Sequence, residues 1–261
     1  MTVKFEMDGP LAIATFCGGP MNLLTGASFA GLMAAVDQAL EAKARALLTV
    51  AEGEHFCAGA DVIGTFVDND ANFARRKLNR WIPEIQRFEN LPFPTVVAIR
   101  GMCLGGGCEM AQLHDILFAG ESAHFGQVEA RIGTTTLLGG AQRLLARVGL
   151  ARAKEMVLSA GIYDARTMLD WGLINRVLPD DDVEAKARSY AMKLANGPTV
   201  AYAASKHLIN TAVAHGLSAA DQRLLDVGPA TFASADMIDA VERFAAAGTD
   251  ALNQGLSFKG E

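Results

Sequence analysis

Three consecutive glycines, Gly105-Gly106-Gly107, constrain this chain more than any other stretch. They follow Val96-Val97-Ala98-Ile99, a short apolar run with β-branched residues that reads as a buried strand. They precede Met110-Ala111-Gln112-Leu113, which suits a helix. Glycine removes every side chain from this backbone, so a ligand can approach its N–H groups. At a helix N-terminus those groups point outward unsatisfied and carry the positive end of the dipole, so developing negative charge is stabilised there. Glu109, about one turn into the helix, brings a carboxylate to the same place. The run is not a phosphate-binding P-loop, because no Gly-Lys-Ser/Thr follows, and Met110 occupies the last glycine position of the dinucleotide fingerprint. A tight turn with a dipole-pairing glutamate fits the same residues, so the chemistry needs support from elsewhere in the chain.

Composition narrows the field. A chain of 261 residues suffices for one large domain, or a domain with a small appendage. At 51% hydrophobic and 20% charged residues it is globular and not disordered. A net charge of −6 with no Lys/Arg block argues against nucleic-acid binding. Cys17, Cys57, Cys103 and Cys108 lack metal or disulfide-framework spacing, so reduced thiols in a cytoplasmic protein are expected. Residues 1–10 lack a basic segment followed by an apolar core, and no apolar run is long enough for a membrane span, so neither a signal peptide nor a membrane partner is expected.

Along the chain, Val3 to Met7 and Leu11 to Phe16 flank Asp8-Gly9, a hairpin signal. Thr25 or Ser28 can cap a helix carrying Phe29, Leu32, Met33, Val36 and Leu40. Ala46 to Val50 reads as a strand, and Asp68 to Asn90 as a charged helix ended by Pro92 and Pro94. Ile116 to Ala119 is a further strand, and residues 132–140 are irregular. Helices are expected over Gln142 to Val148, Ala151 to Ser159 and from Asp164 to near Gly172, before a last strand at Ile174 to Leu178. From Asp182 the pattern is helical, with breaks at Gly197-Pro198, Gly216 and Gly228-Pro229. This order implies an α/β core over residues 1–196 and a helical C-terminal region over 197–261.

Three segments share one form: strand, small residues, polar group. They are Ala58-Gly59-Ala60-Asp61, Gly105 to Glu109, and Phe125-Gly126-Gln127-Val128-Glu129. Ligands of open α/β folds collect at the carboxyl ends of strands. If these loops meet, N–H groups from the first two can share one oxygen, and Glu109 and Glu129 can flank neighbouring carbons as an acid–base pair. The five histidines show no metal spacing, and no Gly-x-Ser-x-Gly elbow is present. Asp115 reads as a hydrogen-bonding buried acid, Cys57, Cys103 and Cys108 as small packing residues, and Asp180-Asp181-Asp182 as a helix start.

Together these motifs resemble the crotonase superfamily, also called the enoyl-CoA hydratase/isomerase family. His55 to Asp61 resembles its first oxyanion loop, Leu104 to Glu109 its second, Phe125 to Glu129 its third motif, and Gly139-Gly140-Ala141-Gln142-Arg143-Leu144 the helix that follows. The resemblance covers nearly the whole chain. It implies a spiral core of ββα units with C-terminal helices used in trimer packing, and hence a homotrimer or a dimer of trimers. It implies an acyl-CoA thioester as substrate, with no metal and no cofactor beyond that coenzyme A. By position the N–H groups of Ala60 and Gly106 form the oxyanion hole. Ala58, Ala60, Asp61, Val62, Ile63, Gly105, Gly106 and Leu137 bind substrate, and the stretch from Ile63 to Trp81 lines the acyl pocket. Glu109 and Glu129 match the two glutamates of the family's hydratases.

Within the family, retention of both glutamates favours hydration of a 2-enoyl-CoA thioester. The alternatives are another crotonase reaction, such as double-bond isomerisation by Glu129 alone, or a non-catalytic CoA-thioester binding protein. One departure stands out. Thr136-Leu137 occupies the place of the Pro-Gly common in the hydratases, so a bulky side chain replaces a glycine beside the reacting carbons. The usual basic ending is replaced by Phe244-Ala245-Ala246-Ala247-Gly248 and a further tail containing Lys259.

Overall fold

The computed structural model describes residues 2–249 and 258–261. The hairpin forms as expected, with β1 (Val3–Asp8) antiparallel to β2 (Leu11–Phe16) about Asp8-Gly9. Thr25 caps α1 (Gly26–Glu41) and leads back to β3 (Ala46–Ala51). The short α2 (Val62–Phe66), which the sequence did not suggest, precedes α3 (Ala71–Glu89). Then come β4 (Thr95–Ile99), β5 (Met102–Leu104), α4 (Gly106–Ala111), β6 (Ile116–Gly120), β7 (His124–Gly126) and a 3-10 turn (Glu129–Ile132). Helices α5 (Gly140–Val148) and α6 (Leu150–Ser159), β8 (Tyr163–Asp164), α7 (Ala165–Trp171), β9 (Arg176–Leu178) and α8 (Asp180–Ala195) complete the core.

Two sheets form among the described residues. The larger has the order β1-β2-β3-β4-β6-β9 and is parallel beyond the first hairpin. The smaller has the order β5-β7-β8. The chain therefore climbs as a spiral. β4 lies in the large sheet, β5 bends away into the second layer and α4 closes the turn; β6 and β7 repeat the move one level on. The preceding level has no full strand in the second layer, only the Cys57–Cys103 bridge.

Alternation along the strands feeds two cores. Ala12, Ala14, Phe16, Leu47, Val97 and Ile99 face the interior between the layers. Leu11, Ile13, Leu48, Val96, Ala98 and Phe118 face α8. That helix meets them with Val183, Ala187, Ala191 and Ala195, one small residue per turn, which lets it lie close to the sheet.

The C-terminal helices are α9 (Thr199–His215), α10 (Leu217–Phe232) and α11 (Ala235–Ala247). The break expected at Gly228-Pro229 does not occur: Pro229 sits inside α10, and the next break falls at Ala233-Ser234. A residue before proline resists helical geometry through its Cβ, and Gly228 has none. Lys206 of α9 donates to Asp115 Oδ2 (2.8 Å) and the Phe93 carbonyl (3.2 Å), which fastens the helix to the core. Asp115 also accepts from Thr95 N–H and Oγ1; it is the hydrogen-bonding acid expected, though half-buried rather than buried. At the C-terminus the Lys259 and Gly260 N–H groups donate to Asp236, so this end is tied to α11 by backbone. Residues 250–257 of the expected tail lie outside the described residues. Among the described residues no helix is long and apolar enough to cross a membrane.

Candidate active site

The three motif loops leave one edge of the second layer side by side. Leu104 pairs with Gly126 in the β5–β7 ladder, and Cys57 pairs with Cys103. The sequence placed the loops after the large strands; the second and third follow the second-layer strands β5 and β7, and the first follows the isolated Cys57 bridge, all too short to read from pattern. The first loop is strapped on both sides. Ala58 N–H donates to the Met21 carbonyl (2.9 Å), Asp61 N–H to the Leu24 carbonyl (3.0 Å), and Leu24 N–H to the Gly59 carbonyl (2.8 Å). A parallel bridge uses the groups flanking the paired residue, so the Ala60 N–H faces away from Leu24. The Gly106 N–H, at the first position of α4, has no acceptor within its helix.

The glycines serve the chain's own packing first. Gly105 has φ +49° and ψ −125°, which a residue with a side chain resists, and a Cβ there would lie 3.3 Å from Glu129 Oε1. A Cβ on Gly106 would lie 2.7 Å from Leu24 Cδ2, and one on Gly107 2.7 Å from Cys57 Cβ. The second loop thus presses on the first and on the Glu129 carboxylate.

Glu109 is 2% exposed. Its Oε1 accepts the N–H groups of Leu138 (2.7 Å) and Gly140 (2.9 Å), and the Leu137 N–H also stabilises its charge. Burial, reinforced by the nearby Glu129 charge, nevertheless pushes its pKa up to about 7. Glu129 is half-buried at the start of the 3-10 turn. Burial raises its pKa as well, opposed by its own N–H and by a hydrogen bond with Glu109. Two neighbouring carboxyls that both resist ionisation favour states in which one keeps its proton, an arrangement from which an acid and a base can act at one place.

Gln127 holds the second glutamate. With its amide oxygen accepting from Gln112 Nε2 (2.8 Å), its nitrogen stands 3.2 Å from each Glu129 oxygen. Sequence reasoning missed this role, because nothing in the spacing distinguishes Gln127 from a strand-end residue. It also missed a basic run: Arg75, Arg76, Lys77 and Arg80 all lie on α3, which corrects the reading of no Lys/Arg block, and the signal was in plain view. Arg75, Arg76 and Arg80 are exposed.

Of the expected substrate residues, Val62 and Ile63 stand exposed on α2, directly after Ala60-Asp61. Asp61 caps that helix, accepting the Gly64 N–H at 3.1 Å. Leu137 is half-buried. Its N–H faces Glu109, so the departure from Pro-Gly changes a side chain and leaves the backbone donor in place. Thr136 is buried and its Oγ1 accepts the Ala141 N–H (3.0 Å), bracing the start of α5. Trp81 stacks on Phe29 with ring centroids 4.7 Å apart. His114 is buried against Phe88, bonds Thr49 Oγ1 at 2.8 Å and is held neutral by burial, with a pKa lowered to about 3. Cys57, Cys103 and Cys108 are buried thiols in the packing, Cys57 pushed up to about 11 by burial.

Comparison with known proteins agrees with this architecture. The family profile described as Enoyl-CoA hydratase/isomerase matches residues 13–250. A Rhodobacter capsulatus protein named "Probable enoyl-CoA hydratase" is 33% identical over 219 residues, 84% of each chain. The short-chain-enoyl-CoA hydratase of Clostridium acetobutylicum is 35% identical over 63% of this chain and 62% of its own. The crystal structure of an enoyl-CoA hydratase from Bacillus anthracis superposes with a TM-score of 0.89 at 25% identity, covering all of both chains. Pseudomonas aeruginosa DspI gives 0.89 at 27% identity over 98% of this chain and 96% of its own. The ββα spiral with C-terminal helices is the fold these structures share. On profile, identity and fold together, the chain belongs to the enoyl-CoA hydratase/isomerase family.

Proposed function

We propose that this protein is an enoyl-CoA hydratase that adds water across the 2,3 double bond of a 2-enoyl-CoA thioester. The observation that carries the reading is the Glu109–Glu129 contact beside the Gly105–Gly107 loop. The N–H groups of Ala60 and Gly106 hold the thioester oxygen. A water between the carboxyls gives its proton to one of them as its oxygen bonds C3. The C2–C3 π electrons move onto the thioester as an enolate, and a proton from the carboxyl pair then bonds C2. Atoms balance: OH on C3, H on C2, the pair restored. In other enzymes loss of one oxyanion donor costs roughly 3–4 kcal/mol, so the two N–H groups carry a large share of the rate.

Coenzyme A adds phosphates, and Arg75, Arg76 and Arg80 on the helix after α2 offer exposed cations in a chain of net charge −6. Leu217, Leu225 and Phe232 are each more than 70% exposed on α10, and Ile209 and Val213 on α9 are also exposed; such faces suit a homotrimer or a dimer of trimers.

The test is product identity. Incubation with crotonyl-CoA in oxygen-18 water should give 3-hydroxybutyryl-CoA carrying one heavy oxygen at C3. Conversion of a 3-enoyl-CoA without hydration, surviving Glu109→Gln, would favour the isomerase. Thioester binding with no product from any enoyl substrate would favour the binding protein.

A further inference from the structure

Arg143 lies on α5, the helix whose first residue donates to Glu109. Its Nη1 donates to the carbonyls of Leu138 (3.2 Å) and Gly139 (3.1 Å), the peptide units on either side of Gly139. A peptide unit is planar, so fixing the Gly139 carbonyl also fixes the Gly140 N–H on the opposite side of the same plane. That N–H is the one 2.9 Å from Glu109 Oε1. Gly139 has φ +88°, so its own backbone preferences do little to hold this orientation; its carbonyl also takes the first bond of α5 from the Arg143 N–H, but that bond is long at 3.3 Å and the guanidinium is the nearer donor. Arg143 is in turn gripped by Glu89, the last residue of α3, through Nε to Oε1 (2.6 Å) and Nη2 to Oε2 (2.5 Å). The Glu89 carbonyl accepts Asn210 Nδ2 of α9 at 2.9 Å. We propose that Arg143, clamped by Glu89, is a positioning residue for hydration: it sets the 139–140 peptide plane and so keeps the Gly140 N–H directed at Glu109. The kinetic part rests on the hydratase reading above.

The charged group facing Glu109 is Glu129. Glu89 and Arg147 stand near Arg143, and Arg147 in turn feels the charges of Asp115 and Glu89. Arg147 braces a different place, donating to the Gln112 carbonyl (2.9 Å) and the His114 carbonyl. Loosening the clamp weakens a donor to a buried carboxylate, and burial then acts with less opposition. The Glu109 pKa rises.

The experiment compares the parent with Arg143→Met, Arg143→Lys and Glu89→Gln. For Arg143→Met the acid limb of kcat/KM should move up by about one pH unit and kcat should fall about 10- to 100-fold. KM for the thioester should stay within about threefold, because no substrate contact is lost. Glu89→Gln should shift the limb the same way by less. Arg143→Lys should restore part of the loss, since one ammonium cannot serve both the carboxylate fork and two carbonyls. An unmoved acid limb in folded Arg143→Met, or a rise in KM at constant kcat, overturns the proposal. If Arg143→Met does not fold, an unmoved limb in Glu89→Gln does so alone. An infrared titration of the Glu109 carboxyl band, assigned with Glu109→Gln, reads the same shift without turnover. A parent inactive on every enoyl thioester would sink the hydratase reading while this titration still decides the clamp.

Discussion

Replacing Glu109 by glutamine should stabilise the fold above neutral pH while removing turnover. The carboxyl is 2% exposed, and burial raises its pKa from 4.5 to about 7. A folded-state pKa above the unfolded one means that folding favours the protonated form. The stability it contributes is fully present below pH 4.5 and is lost as pH rises towards 7. At about 1.36 kcal/mol per unit, the ionised carboxylate costs the fold about 3 kcal/mol above pH 7. The substituted amide would keep an oxygen for the Leu138 and Gly140 N–H groups and carry no charge to desolvate. The assay is urea unfolding of both proteins from pH 4.5 to 8.5 at one fixed protein concentration, because assembly shifts apparent stability. The difference in unfolding free energy should be small at pH 4.5, grow in favour of the variant and level off near pH 8. A difference that does not change with pH, or that grows in favour of the parent, would refute the reasoning.

Other consequences follow from the same geometry. Replacing Arg75, Arg76 and Arg80 together by Ala should raise KM for crotonyl-CoA about tenfold and leave crotonyl-pantetheine, which lacks the CoA phosphates, unaffected; equal losses on both would place the phosphates elsewhere. The kcat/KM profile of the parent should show an acid limb near pH 7, since a carboxyl of the Glu109–Glu129 pair must be ionised to accept the water proton; a limb near 4.5 in a pH-rate series would contradict the raised pKa. Gly107→Ala should destabilise the protein by about 1–3 kcal/mol in urea unfolding, because its Cβ would meet the Cys57 carbonyl and lie 2.7 Å from Cys57 Cβ. Lys206→Met should leave the half-buried Asp115 with only its Thr95 donors and cost about 1–2 kcal/mol; hydrogen exchange should show α9 loosening first.

The legible parts of this chain are those whose cause is local. Thr25 and Asp164 cap α1 and α7 as their types suggest, Gly172 ends α7 in the left-handed conformation, and Val96 to Ile99 is a buried strand. Glu109 and Glu129 were legible as a pair through the shared form of their loops, and the structure puts them in contact. What escaped is set by contacts distant in sequence. β5 has three residues, too few for periodicity, and exists because it pairs with β7. Arg143 meets Glu89 across 54 positions. Gln127 is identified only by the amide network that joins Gln112 to Glu129. Helix α10 runs through Gly228-Pro229, where the glycine relieves the Cβ part of the clash before proline, so the expected break falls later, at Ala233-Ser234.

The central claim is that Glu109 and Glu129 act together on one water. Its most direct test is loss of the conjugated-thioester absorbance of crotonyl-CoA, followed for the parent, Glu109→Gln and Glu129→Gln, with binding of the thioester measured in each. The account predicts rapid loss with the parent and a fall of at least about a hundredfold in kcat for each substitution, with binding retained. Hydration by either variant at close to the parental rate would contradict it.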